Sequence, residues 1–341
     1  MLLFSLVILI FLVFKPARIT RPFTKERSRV LKALLPIGVI IHHFFKMHEV
    51  VFITEDTQSL GSYIVAIFFF ISGYGLSCKY VKNKTVCLLY FISQMKRLFV
   101  PLLFVAVIYH SMNYLLCGVS FDYLSVAHNW ILGAPPLPYT WFVMTYTSLL
   151  ILFALSIKQN HWGGYLLVAI LMYILIESQL FNKTIPFHHY SSVLAFYAGN
   201  IYHVLEHRIH HMNKHLKICL LFIGISAIIV ISLLSYYRVM VCGKQGFFLS
   251  FLFSFLFIFL FRNIRIPKTG SVINFLSSIS YEQYLCQFVS FIIVKCWMGE
   301  NIVFVQLPLL IMVNMIIAYI VTKCMILFKL FKQSIKLQYG H

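Results

Sequence analysis

Ionisable and polar side chains inside apolar runs are costly at membrane depth, and they mark cavities, proton relays or substrate sites. The chain places His42 and His43 in one such run and Ser72 in the next, with Glu177 near the end of a third and Glu282 with Gln287 in a later one. Spacing singles out His43. Lys32 lies eleven residues before it, and at about 100° per residue this is three turns plus roughly 20°, so both side chains share one helix face. Their axial separation is about 16 Å, about half the hydrocarbon thickness, which puts His43 near the midplane when Lys32 sits at an edge. A ligand with an anionic head and a long reactive arm fits that geometry. His42, rotated by about 100°, is expected to face elsewhere. The competing reading of His43 is an imidazole hydrogen-bonded between helices, and for an arbitrary intramembrane histidine it carries about equal weight.

The elements that must position these residues are set by composition. Of 341 residues 61% are hydrophobic and 11% charged, with a mean hydropathy of +0.88, against about 25% charged in a soluble domain. A soluble fold is ruled out. The apolar residues gather into eleven stretches of 14 to 28 residues, and about 20 residues of helix cross a bilayer. The expected architecture is an all-α, polytopic transmembrane bundle of ten core helices plus an extra N-terminal helix. Residues 1–14 form that extra helix or a re-entrant insertion; their basic residues follow the apolar run, the reverse of a signal peptide. The core spans are expected at 30–47, 61–78, 97–117, 139–157, 162–181, 190–205, 216–237, 246–261, 272–294 and 302–328. Three segments result: 1–26 as the extra helix with a basic linker, 27–329 as the membrane domain, and 330–341 as a basic tail.

A net charge of +19 would suggest a nucleic-acid partner in a soluble protein; here topology accounts for it, and no nucleic acid is expected. Crossing at each stretch puts 23 of the 28 basic residues on one side, and leaves Lys46, Lys183, Arg238, Lys244 and Lys295 on the other. The rich side is cytoplasmic, with the C-terminus there. Outside, residues 118–138 hold Asp122 and no Lys or Arg, and Pro135, Pro136 and Pro138 stop a helix before the span at 139. This segment suits the outer membrane surface, with Trp130 and Tyr139 as interfacial rings. The eight cysteines show no CxxC pair and read as inert packing residues.

Several short motifs occur in a fixed order: a basic residue, ten others and His (Lys32 to His43), IFFFISGYG at 67–75, KRLFVP at 96–101, WFV at 141–143, FYAGNI at 196–201 and ISYEQYL at 279–285. Together they resemble the signatures of the membrane acyltransferase 3 family, over residues 27 to 328. The resemblance implies a bacterial inner-membrane O-acyltransferase, usually an O-acetyltransferase. Such an enzyme takes acyl groups from cytoplasmic acyl-CoA and places them on hydroxyls of cell-surface glycans or their lipid-linked precursors, with no permanently bound cofactor and no metal. The family's Arg-x10-His motif carries over to Lys32 and His43, and its basic cluster to Lys96 and Arg97.

Physical chemistry agrees with those roles. Acyl transfer to an alcohol needs a base for the hydroxyl proton, and neutral imidazole has a suitable pKa near neutral pH; His43 is the expected base. Lys32, Lys96 and Arg97 are the expected cations for the donor's phosphates, with snorkelling anchors as the alternative for the last two. Ser72, Tyr74, Trp141, Glu282 and Gln287 are the supporting candidates; the small residues Ser72, Gly73 and Gly75 allow close packing or a helix break. Three positions depart from the family pattern: Lys32 replaces Arg, Arg29 replaces an acid, and Gln287 replaces a His. They leave the orienting partner of His43 open, with Glu282 conceivable if its span packs against that of His43. His203, His207, His210, His211 and His215 have helical spacing that can bind zinc, but only Glu206 accompanies them, and a solvated loop is the expected reading. A transporter of a glycan or anion competes as a function class, although no pair of related halves with broken helices is present; a non-catalytic scaffold is a third reading.

Overall fold

The computed structural model describes residues 23–47, 60–82, 88–120, 122–131, 136–159, 161–180, 191–213, 246–262, 270–298 and 303–339, with a few isolated positions between 214 and 270. The expected helix at 1–14, all but isolated positions of the span at 216–237, His188, His189 and His215 lie outside the described residues, as do the side chains of Glu177, His207 and His210. Among the described residues the regular elements are eleven α-helices: α1 Lys25–Met47, α2 Leu60–Lys82, α3 Leu88–Cys117, α4 Tyr123–Ile131, α5 Trp141–Ser156, α6 Trp162–Leu180, α7 Leu194–His211, α8 Gly246–Phe261, α9 Ser271–Ser278, α10 Ser280–Met298 and α11 Val303–Tyr339. Lys25–Met47, Gly61–Lys82, Tyr90–Cys117 and Val305–Phe328 are long and apolar enough to cross a membrane, and α5, α6 and α8 add shorter apolar runs.

Helices pack here without a hydrophobic drive from water, so close approach of backbones carries the association. The α2–α7 crossing shows this. A Cβ on Gly73 would run into the carbonyl oxygen of Phe196, and one on Gly199 into that of Phe70. Both glycines are required by the contact itself. Further along this crossing Ser77 Oγ donates to Asn200 Oδ1, and the Asn200 amide donates to Phe196 O at 2.7 Å. Helix α8 lies across α2 and α7, while α10 packs on α1, α3 and α11, and α9 on α1.

The end of the bundle where α1 starts and α2, α7 and α8 finish is tied by buried polar groups. Glu206 accepts from the Phe23 amide at 2.7 Å and from Tyr74 Oη at 2.5 Å. Buried Arg27 donates to Phe261 O at 2.7 Å, and buried Arg262 donates to Tyr202 Oη at 3.1 Å. These bonds occupy groups that would be expensive to leave unpaired away from water.

Three expectations shift. The stretch 272–294 is two helices, α9 and α10, which meet at Ile279 with φ −105° and ψ 8°. Ser278 Oγ bonds back to Phe275 O at 2.7 Å, the local competition by which serines bend helices. The segment 118–138 contains the short helix α4. The last helix runs on through the basic tail to Tyr339.

Candidate active site

At the end of the bundle where α1 finishes and α2 and α5 begin, a cavity of about 110 Å³ is lined by Val39, His42, His43 and Lys46 of α1, Gly61, Ser62 and Val65 of α2, Tyr139 and Trp141, and Tyr284 of α10. The four α1 residues fall at i, i+3, i+4 and i+7, a single stripe about 100° wide. This corrects the expectation that His42 faces away: the cavity straddles the stripe, so imidazoles 100° apart both reach it. Their ring centroids are 4.9 Å apart, and both are buried.

Glycine makes room for His42. A Cβ on Gly61 would lie 2.6 Å from both Cδ2 and Nε2 of the His42 ring, inside van der Waals contact. The opening residues of α2 therefore clamp one imidazole, while the other packs under Tyr139 with centroids 4.4 Å apart and meets Phe288 at 5.7 Å.

Tyr139 holds a backbone that side chains rarely adopt, with φ 58°, a conformation that costs on the order of 1 kcal/mol and needs support from its surroundings. That support is visible. Tyr284 Oη donates to Tyr139 O at 2.5 Å, Thr140 Oγ1 to Leu137 O at 2.8 Å, and His110 Nε2 lies 3.1 Å from Pro136 O. The Tyr139 ring stacks on Phe288 at 4.9 Å and 16°. Lys46 Nζ sits 5.4 Å from the centroid of the Tyr139 ring.

A second group forms toward the opposite end of the same helices. Lys32 and Arg97, both exposed, lie within electrostatic reach of one another, and Arg97 reaches Glu282 as well. Aromatic rings connect the two regions. Tyr284 meets Phe142 at 5.6 Å, and Phe142 stacks on Tyr146 at 5.9 Å and 8°. Tyr146 lies beside Ser72 and within electrostatic reach of Arg97.

The residues expected from sequence thus separate into places. His43 and Trp141 share the cavity. Lys32, Arg97 and Glu282 form the second group, and Ser72 borders it through Tyr146 while donating to Phe68 O at 2.8 Å. Lys96 is exposed on α3. Tyr74 belongs to the Glu206 tie, remote from the cavity. Gln287 is buried, and neither its amide nitrogen nor its oxygen has a hydrogen-bond partner among the described residues. Glu282 lies in the field of Arg97 and outside the cavity lining.

His42, Lys46, Gly61, Tyr139 and Tyr284 are among the lining residues that sequence reasoning did not gather. The i, i+3, i+4, i+7 spacing on α1 was a usable signal for the first two; nothing local announces that the Tyr139 loop folds over them. Among the described residues no cluster of His, Cys, Asp and Glu has the makings of a metal site; His203 Nδ1 instead contacts Cys78 Sγ at 3.3 Å.

Comparison with known protein families matches residues 27–323 to the acyltransferase 3 family, described as an acyltransferase domain. No curated protein and no solved structure matches the chain. The matched segment takes in α1 to α10 and most of α11, with the cavity and the Lys32–Arg97 group inside it. A multi-pass, all-helical protein matched over that length belongs to the acyltransferase 3 family of membrane acyltransferases.

Proposed function

We propose that this enzyme transfers an acyl group, most often acetyl, from acyl-CoA to a hydroxyl of a cell-surface glycan or of its lipid-linked precursor, in a bacterial inner membrane with the C-terminus in the cytoplasm. His43 is the general base. Lys32 and Arg97, with Lys96 beside them, hold the donor's phosphates at the cytoplasmic end, where ammonium and guanidinium groups offer charge-assisted hydrogen bonds. The acceptor enters the cavity at the other end.

In the reaction, His43 takes the proton of the acceptor hydroxyl as its oxygen attacks the thioester carbonyl. A carbon–oxygen bond forms, the carbon–sulfur bond breaks, and the departing thiolate receives the proton. The imidazole ends the cycle neutral. A base positioned in this way contributes about 10²- to 10⁴-fold.

One observation carries this reading: His43 lines a cavity at one end of the bundle, and cations gather three turns back along its own helix. A thioester arm laid along the Tyr146–Phe142–Tyr284 rings would span the interval between them. The test is transfer of radiolabelled acetyl from acetyl-CoA to surface glycan by purified protein in bilayer discs. Label should accumulate with wild type and not with His43→Ala. Equal labelling by the two proteins, or none by wild type with any glycan, overturns the reading.

A further inference from the structure

Among the described residues that line the cavity beside His43, Lys46 carries the single fixed charge, and it is positive. Positive residues are scarce at this end of the bundle, so Lys46 runs against the charge bias that orients the chain. Its place in the last turn of α1 favours a cation through the helix dipole. The dipole does not explain its direction.

Geometry gives that direction a use. The Lys46 ammonium stands 5.4 Å from the Tyr139 ring centroid, and the same ring lies 4.4 Å from His43. Lys46 and His43, one turn apart on α1, thus both lie against the Tyr139 ring and both line the cavity. A sugar entering the cavity beside Trp141 with one hydroxyl toward His43 would bring a neighbouring substituent toward the ammonium. The strained backbone of Tyr139, pinned by Tyr284, keeps the ring they share in place.

We propose that the acceptor of this enzyme carries an anionic group, a carboxylate or a phosphate ester, which Lys46 binds while His43 receives the hydroxyl. Lys46 is then a specificity-determining residue. The inference rests on the reading of the cavity as the acceptor site, and its test is one of binding, separate from catalysis.

The experiment measures equilibrium binding of radiolabelled methyl glucuronoside, methyl glucoside and a polyprenyl-diphosphate-linked glucose to the protein in uncharged bilayer discs. Wild type should hold at least one of the two anionic ligands about tenfold more tightly than methyl glucoside, the size expected of a hydrogen bond to a charged group. Lys46→Gln should remove that preference, Lys46→Arg should keep it, and added salt should weaken it. A Lys46-dependent preference for the glucuronoside identifies a carboxylate-bearing sugar; the same preference confined to the diphosphate identifies a lipid-linked phosphate. Equal binding of charged and neutral ligands, a preference that survives Lys46→Gln, or no binding of any of the three overturns the proposal. His43→Ala should lose transfer and keep the preference. If wild type shows Lys46-dependent binding and transfers no acyl group, the catalytic reading fails while the anion site stands.

Discussion

An imidazole can take a hydroxyl proton only if its ring is held where the hydroxyl arrives, and here two rings share one small space. His43→Gln should lower transfer by at least about 10²-fold while leaving the thermal stability of the purified protein near that of wild type. Gly61→Ala asks a finer question, because the added methyl must displace the His42 ring from 2.6 Å. Misplacing a group beside the base by about 1 Å costs about 10²-fold, so Gly61→Ala should reduce kcat/KM by about 10- to 100-fold. The cycle with His42→Ala separates cause from coincidence: once the ring is removed, Gly61→Ala should have no further effect. An undiminished effect in that background would show that Gly61 acts through something other than His42. At the other end, Arg97→Ala should raise the KM for acyl-CoA with little change in kcat, since a donor-holding cation contributes uniform binding.

Elements decide how these residues meet. Tyr139 keeps φ 58° because Tyr284 reaches from α10 to its carbonyl; Tyr284→Phe removes that bond, worth about 1 kcal/mol, and should loosen the loop over His43. The expected result is a higher acceptor KM with acyl-CoA KM unchanged, read from initial rates at varied concentrations of each. Small residues at the α2–α7 crossing set the spacing of α2, which lines the site, from α7. Gly199→Leu leaves no room for its side chain against Phe70 and should lower thermal stability in detergent, overpacking of this kind costing about 1–3 kcal/mol or more. Periodicity and polar punctuation made most of these helices readable, because apolar runs such as those of α1, α2, α3 and α5 are bounded by residues that cannot stay in hydrocarbon. The bend at Ile279 was not readable: serines such as Ser277, Ser278 and Ser280 also occur in continuous helices, and only the structure shows that Ser278 bonds back to Phe275 O where the helix breaks.

At the scale of the whole molecule, charge is the feature of the sequence that predicts an orientation, and the cavity was legible only in part. His43 and Trp141 could be nominated from spacing and motif. Their neighbours come from three helices and one loop, and no local pattern records which loop folds over which imidazole. Orientation itself is open to a direct test with native cysteines. Cys117 and Cys296 are exposed where α3 and α10 finish, at the end of the bundle that holds the cavity; Cys324 is half-buried in the later part of α11, which runs back toward the opposite end. In single-cysteine variants expressed in intact cells, a membrane-impermeant maleimide should label Cys117 and Cys296, and should label Cys324 only after lysis. Cys286, fully buried, is the internal control and should resist the reagent in both conditions. The charge bias and the proposed donor site both predict this one orientation. Labelling in the reverse order would place Lys32 and Arg97 outside, away from any acyl-CoA, and the assignment of donor and acceptor ends would fall together.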